Sequence, residues 1–321
     1  GNWSARNKKF KAWCELILQV DKLAQDDMES FVTNLPRTDY NMALYMLQGK
    51  IPHRIPIENL EPEEISNTSE VEETLKKAWS DNDRRYRRAN RQSWLRYFIS
   101  MLLATGWYSV AYIVNENDCL AEVWNPAEVY PEFDSELGLT KVVRSYRISN
   151  DRARSMATAK RWNAGAVPVG AGDTVLRNYW VKEITSGEAK VFNAIIIGND
   201  FAKPLTAEPD YIEIPVLISG AGGLPDLTPI MGGKTSQEHA GESLVATNES
   251  MHFQYNKLWT MMSQILRDTA EPRWFEASQG GDVLKSENMF KRGAVFKGSV
   301  NDIVQALPMP PIPIELRTSN I

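Results

Sequence analysis

The chain has 321 residues, 24% of them charged, and a formal net charge of −5, with a pI near 5.5. That length holds two ordinary domains or one large one, and the acidic balance argues against a protein whose main task is tight binding of nucleic acid through a basic patch. Cys14 and Cys119 alone imply neither a disulfide framework nor a cysteine zinc site and suit a reducing compartment, while no run of ~18 apolar residues and no signal peptide is read.

Between residues 5 and 32, Phe10, Trp13, Ile17, Val20 and Leu23-Ala24 recur at three and four residues, which predicts a helix with one buried face. Residues 49–70, with Pro52, Pro56 and Pro62 among Glu58, Glu61, Glu63 and Glu64, read as a polar loop. A second long helix is expected from about residue 70 to 105, apolar at its end and basic in its middle, at Lys76, Lys77, Arg84, Arg85, Arg87, Arg88, Arg91 and Arg96. Asp81 and Asp83, and Glu72 and Glu73 one turn before Lys76 and Lys77, supply intrahelical partners for part of that charge. The rest fits either a solvated or subunit-contact face, or contact of Arg84, Arg85, Arg87, Arg88 and Arg91 with the phosphates of packaged nucleic acid.

After Gly106 the period drops to two. Residues 107–114 and 119–124 flank Asn115-Glu116-Asn117-Asp118 as a hairpin, and strands at 128–133 and 140–148 follow. Asn150 caps a short basic helix through Trp162, and a flexible Gly/Ala/Val/Pro stretch at 164–172 leads to a second hairpin, 174–184 with 190–197. Residues 212–218 form the last strand of an α+β body whose sheet is mostly antiparallel.

From residue 242 to 267 neither Pro nor Gly interrupts the chain, and Leu244, Met251, Tyr255, Leu258, Met262 and Ile265 recur at heptad-like steps. One helix is expected, with Ser243 capping its start and Pro272 marking its stop, roughly 45 Å long at ~1.5 Å per residue. Met251, Tyr255, Leu258, Met262 and Ile265 form a seam that one short body cannot fully bury, so they read as subunit-packing positions. Asn248, Glu249, Asn256, Lys257, Gln264, Arg267 and Asp268 make a polar strip on another side. Residues 273–276 and 294–297 then read as two short strands around a turn at Gly280-Gly281 and a piece about Val283-Leu284, too little to bury a core. Leu307-Pro308-Met309-Pro310-Pro311-Ile312-Pro313 is a stiff connector, and a returning helix begins near Glu315, so the chain is read as part of a longer protein.

Chemical motifs are weak. Gly232-Gly233-Lys234-Thr235 holds the Gly-Lys-Thr core of a P-loop, but Thr228 stands where that motif has its first Gly, and Pro225 and Pro229 replace the strand end. His53, His239 and His252 lack metal-ligand spacing with a second ligand, no G-x-S-x-G elbow occurs, and neither cysteine has an adjacent His. No catalytic, cofactor or metal residue is assigned, and the chain does not read as an enzyme.

The run Val123-Trp124-Asn125-Pro126-Ala127-Glu128-Val129-Tyr130-Pro131-Glu132-Phe133-Asp134, with Gly138 and Val142-Val143-Arg144-Ser145-Tyr146, resembles the wing of a tailed-bacteriophage portal protein. Similar to the same family are His239-Ala240-Gly241-Glu242-Ser243, opening a helix through Tyr255-Asn256-Lys257-Leu258 to Ala270-Glu271-Pro272, and Arg292-Gly293-Ala294-Val295-Phe296, leading to Leu307-Pro308-Met309-Pro310-Pro311. In order and spacing these pieces cover most of the chain from about residue 70 to 313.

The resemblance implies a wing at 1–240, a stem helix at 241–272, a small α/β clip at 273–310 and the start of a second stem helix at 311–321, without the family's tunnel loop and crown. It implies a dodecameric ring at a unique capsid vertex, the head-to-tail connector through which double-stranded DNA is packaged and later ejected. Such a protein is assembled in the host cytoplasm and resides in the virion, with the terminase large subunit, the major capsid protein and tail or adaptor proteins as partners, and with no membrane and no cofactor. The polar strip of the stem helix would approach the channel, touching DNA without sequence readout. Arg273, Trp274, Phe275, Val283, Leu284, Val295 and Phe296 would carry partner docking on the clip. Two other classes stay open: another virion component such as a head-tail adaptor, and a P-loop nucleic-acid ATPase resting on residues 232–235 and the arginine-rich helix.

Overall fold

Phe10, Trp13 and Ile17 share one buried face of the first helix, α1 (Trp3–Ile17). The computed structural model describes residues 3–24, 30–49, 62–115, 118–134, 136–185, 188–223, 240–270, 274–277 and 303–306. Helix α1 ends well short of residue 32 because Gln19 turns left-handed, at φ 57°, the conformation that commonly closes a helix. Val20 is accordingly exposed. A second helix, α2 (Leu35–Leu47), has no counterpart among the predicted elements: only Pro36 and Leu44 are buried along it, so its apolar spacing is faint.

The single helix expected over 70–105 is two. Helix α3 (Pro62–Arg88) begins inside the stretch read as a loop, since Pro is tolerated in a first helical turn. Asn90 then adopts a left-handed conformation at φ 55°, and α4 (Trp94–Thr105) starts afresh with Ser93 as its cap, accepting the Arg96 N–H. Asp83 accepts the Trp94 N–H at 2.8 Å. These two side chains satisfy donors that a helix start exposes, which is why the break is stable.

Past Gly106 the alternating segments form strands close to the expected bounds, except that the last, expected from residue 212, begins at Val216. The hairpin β1 (Trp107–Asn115) and β2 (Asp118–Val123) is joined on its other side by β8 (Val216–Gly220), an antiparallel sheet in the order β2-β1-β8. A five-stranded antiparallel meander comprises β3 (Val129–Asp134), β4 (Gly138–Ser149), β5 (Asp173–Thr185), β6 (Glu188–Ile197) and β7 (Asp200–Ala207). Strand β7 was not predicted, because Pro204 interrupts its pattern; the sheet accommodates it at an edge, where a missing donor does no harm. Helix α5 (Asn150–Ala159) follows β4 with Ser149, not Asn150, in the cap position, and the Asn150 side chain instead donates to the Gly170 carbonyl at 2.9 Å.

One face of the meander carries two apolar clusters. At one end Val129, Val142, Trp180 and Val191 pack with Phe10, Trp13, Trp107 and Trp124. At the other, Ile148, Leu176, Ile195 and Ile197 pack with Ala153 and Ala157 of α5. A third cluster, of Tyr86, Trp94, Val110 and Val123, lies between α3, α4 and the first hairpin.

Residues 240–247 cross the corner between α4 and β1 and are tied to it. The Leu244 N–H and the Ser243 hydroxyl both donate to the Leu103 carbonyl, at 3.1 and 2.9 Å, and the Ala221 N–H donates to the Gly106 carbonyl at 2.7 Å. Ser243 therefore caps no stem helix. Two glycines make the close approach possible: a Cβ on Gly106, whose φ is 69°, would fall 2.3 Å from the Glu242 backbone nitrogen, and one on Gly241 would fall 2.2 Å from the Gly106 carbonyl oxygen. Gly106→Ala is expected to cost about 3 kcal/mol or more, because left-handed strain and overpacking each cost ~1–3 kcal/mol. At ~2–4 °C per kcal/mol the melting temperature should fall by about 6–12 °C. Circular dichroism melts check this, and an unchanged midpoint would show that the corner yields.

The chain divides into two compact units, Gly1–Leu18 with Leu35–Thr247, and Gln19–Asn34 with Asn248–Ile321. The border thus falls at Thr247, and the segment 19–34 belongs with the long helix. Within the second unit that helix, α6 (Glu249–Ala270), begins seven residues later than the periodicity suggests and spans 22 residues. Segment 30–34 lies along it: the Phe31 N–H donates to Thr260 Oγ1 and the Thr33 N–H to Asn256 Oδ1, each at 2.9 Å. The Phe31 ring meets those of Tyr255 and Trp259, with centroids 6.0 and 5.7 Å away. Upstream, Asp21 accepts from the Leu23 and Ala24 N–H groups and the Ser30 hydroxyl, which holds its carboxyl below the usual aspartate range, the serine contributing most.

Strand β9 (Trp274–Ala277) pairs antiparallel with β10 (Ile303–Ala306), Trp274 opposite Ala306. The first predicted clip strand is therefore present, shifted by one residue, and its partner comes from residues 303–306 of the same chain. The predicted strand at 294–297 lies outside the described residues.

Candidate functional site

The seam of α6 divides in two. Tyr255 turns against Phe31 of its own chain, whereas Met251 and Leu258 stay 67% and 44% exposed, with Met262 and Ile265 half-buried. Met261, which the heptad steps passed over, is 54% exposed. At ~100° per residue Met251, Leu258, Met261, Met262 and Ile265 share an arc of about 100° on the helix. Leu266 and Phe253 are exposed elsewhere on the same helix.

The polar strip is less free than its sequence suggests. Asn256 is half-buried and spends its side-chain oxygen on the Thr33 N–H, so it faces its own chain and not an open polar surface. Asn248 and Lys257 are exposed, and Glu249, Gln264 and Arg267 are half-buried with interactions of their own. Asp268 belongs to the last turns of α6. Of the residues expected to carry partner docking, Trp274 and Phe275 lie in β9, while Arg273, Val283, Leu284, Val295 and Phe296 lie outside the described residues, as do His53, His239 and the P-loop-like residues 232–235.

The arginines of α3 do not form one phosphate-binding face. Arg84 pairs with Asp81 at 2.6 Å and Arg87 with Asp83 at 2.8 Å, the intrahelical pairs that the spacing predicts. Arg85 also has a partner, and Arg88 is exposed. Arg91 is not on the helix at all; it sits in the break after it, 5.9 Å over the Tyr86 ring.

Arg91 also borders a cavity of about 610 Å³ in the first unit that the sequence did not reveal. Its floor follows from the register of the meander. Arg144 of β4 stands opposite Asn178 of β5, Val142 opposite Trp180, and Trp180 opposite Asn193 of β6. A polar rung thus lies between the two apolar clusters, on the face that buries Val142 and Ile148. Asn193 is 5% exposed and donates to Asn178 Oδ1 at 2.8 Å. Arg144 lies between Trp124 and Tyr146, its guanidinium carbon 5.0 and 4.5 Å from their ring centroids, and pairs with Glu122 at 3.0 Å and Glu128 at 3.6 Å. Burial pushes the Glu128 carboxyl up against the opposing pull of Arg144, and burial likewise raises the Tyr146 hydroxyl. Exposed Arg152 of α5 and Lys160 just after it stand at the mouth, and Arg147, at the rim, belongs by strand alternation to the other face of β4. The signal was present in the sequence: Val142, Arg144, Tyr146 and Ile148 alternate on one face, and a charge among inward positions is the informative exception.

Among the described residues no cluster of three or more His, Cys, Asp or Glu could hold a metal ion, and no helix is long and apolar enough to cross a membrane. No family model matches the chain, and no curated protein matches its sequence.

Proposed function

We propose that the chain is a phage portal protein, whose copies close into a dodecameric ring at one vertex of the capsid and conduct double-stranded DNA inward and outward. The observation that carries this reading is the arc on α6, where Met251, Leu258 and Met261 remain exposed after the chain's own segment 30–34 has covered the neighbouring face. A 22-residue amphipathic helix with that much apolar surface in water favours association with further copies of itself. Heterologous contacts of this kind close into rings when the rotation allows. The ordered resemblance of residues 123–146, 239–272 and 292–311 to the portal family supports the same reading, and supplies its partners: terminase large subunit, major capsid protein, and tail or adaptor proteins in the virion. The acidic balance of the chain suits a conduit, since each phosphate contact adds salt-sensitive affinity that would retard a moving duplex. Negative-stain electron microscopy of the purified full-length protein tests the proposal. Rings of about twelve copies are expected on the family's pattern, and a protein that stays monomeric at high concentration would overturn it.

A further inference from the structure

We propose that the cavity floored by Arg144 binds a mononucleotide, a planar base carrying a phosphate, either free or at the end of a strand. The proposal concerns a site within one protomer and does not rest on ring formation. Two buried indoles beside the cavity, Trp124 at 3% exposure and Trp180 at 9%, hold N–H groups without a hydrogen-bond partner, whereas Arg144 Nε already faces the Glu128 carboxylate at 3.6 Å. Both indole groups are donors. Buried polar groups are normally satisfied, so a ligand that fits this cavity offers acceptors.

The charge at the mouth gives its sign. Glu122 and Glu128 are both engaged by Arg144, while Arg91, Arg147, Arg152 and Lys160 form no ion pair among the described residues. The surplus is cationic and suits an anion, phosphate above all. Half-buried Tyr97, Tyr146 and Trp162 line the same space, and aromatic faces stack on nucleobases without regard to their identity. A volume of about 610 Å³ falls within the ~300–1,000 Å³ of small-ligand sites.

Titration of the full-length protein with AMP, adenosine, inorganic phosphate, and a short oligonucleotide with or without its 5′-phosphate tests the idea, read by tryptophan fluorescence and calorimetry. Saturable binding of AMP is expected, at least about tenfold tighter than adenosine or phosphate alone, because the charged and stacking contacts act together. The double substitution R152E/K160E, at two exposed positions, should weaken AMP by about tenfold or more with an unchanged melting temperature. Trp124→Phe, which removes one indole donor and keeps an apolar ring, should weaken it as well. If only the 5′-phosphorylated oligonucleotide binds, the occupant is a strand end; if AMP binds equally well, it is a free nucleotide. Adenosine binding as tightly as AMP, insensitivity to R152E/K160E, or no saturable binding by either phosphorylated probe would overturn the proposal.

Discussion

Arg6→Ala is expected to destabilise the first compact unit by about 3–5 kcal/mol, the scale of breaking a buried hydrogen-bond network. Arg6 is 1% exposed and lies among the rings of Trp3, Phe10 and Trp107, its guanidinium carbon 4.4, 5.1 and 5.2 Å from their centroids. Its Nη2 donates to the Pro126 and Val129 carbonyls at 2.9 and 2.8 Å. Truncation withdraws this donor from both carbonyls, of which Pro126 keeps the Val129 N–H while a carbonyl left buried without a donor costs ~1–3 kcal/mol, and it removes cation–π contacts of ~0.5–2 kcal/mol. Burial lowers the guanidinium pKa to about 10, so the cation is held against its own desolvation, and truncation relieves that cost while it removes the contacts. Arg6→Lys keeps the charge but not the planar guanidinium that sits among the three rings and reaches Asn7 as well as both carbonyls, and should recover less than half of the loss. Urea unfolding followed by tryptophan fluorescence measures both, and an Arg6→Ala midpoint equal to that of the parent would remove Arg6 from its bridging role between α1 and the turn before β3.

What the sequence made legible is what short-range pattern controls. The two hairpins follow from period-two alternation broken at Asn115-Glu116-Asn117-Asp118 and at Ser186-Gly187, and the structure pairs β1 with β2 and β5 with β6 accordingly. The break at Asn90 and Ser93 was readable too, from two residues with known termination and capping habits, but the apolar run after Trp94 masked it. Long-range contacts were not readable. Nothing in the spacing of Leu244 and Met251 discloses that Ser243 is tied to Leu103, 140 residues away, which is what delays α6 to Glu249. Nor does it disclose that Thr33 would take up Asn256 from 223 residues away and turn one side of the expected seam and strip inward. Arg144 was conspicuous as a charge at an inward position, but its neighbours in the cavity come from different strands, and only the register brings Asn178 and Trp180 beside it.

The double substitution Met251→Glu, Leu258→Glu is expected to abolish assembly while leaving the protomer folded. Both side chains are exposed in the single chain, at 67% and 44%, so charging them removes little packing, and circular dichroism and melting temperature should match the parent. In a ring the same positions would be covered, where each large apolar side chain contributes ~1.5–3 kcal/mol on burial and an unpaired carboxylate is far costlier to bury. Losing even about 4 kcal/mol per contact weakens each interface by roughly a thousandfold. Every copy in a closed ring makes two such contacts, so the loss falls on both sides of each protomer. Lys257→Glu is the matching control: it changes charge at an exposed position next to Leu258 but outside the apolar arc, and rings should survive it. Mass photometry at fixed protein concentration distinguishes the outcomes. Should the doubly substituted protein form rings as readily as the parent, while the parent's rings are intact, the exposed arc of α6 is not the assembly surface, and the contacts that close the ring lie elsewhere on the chain.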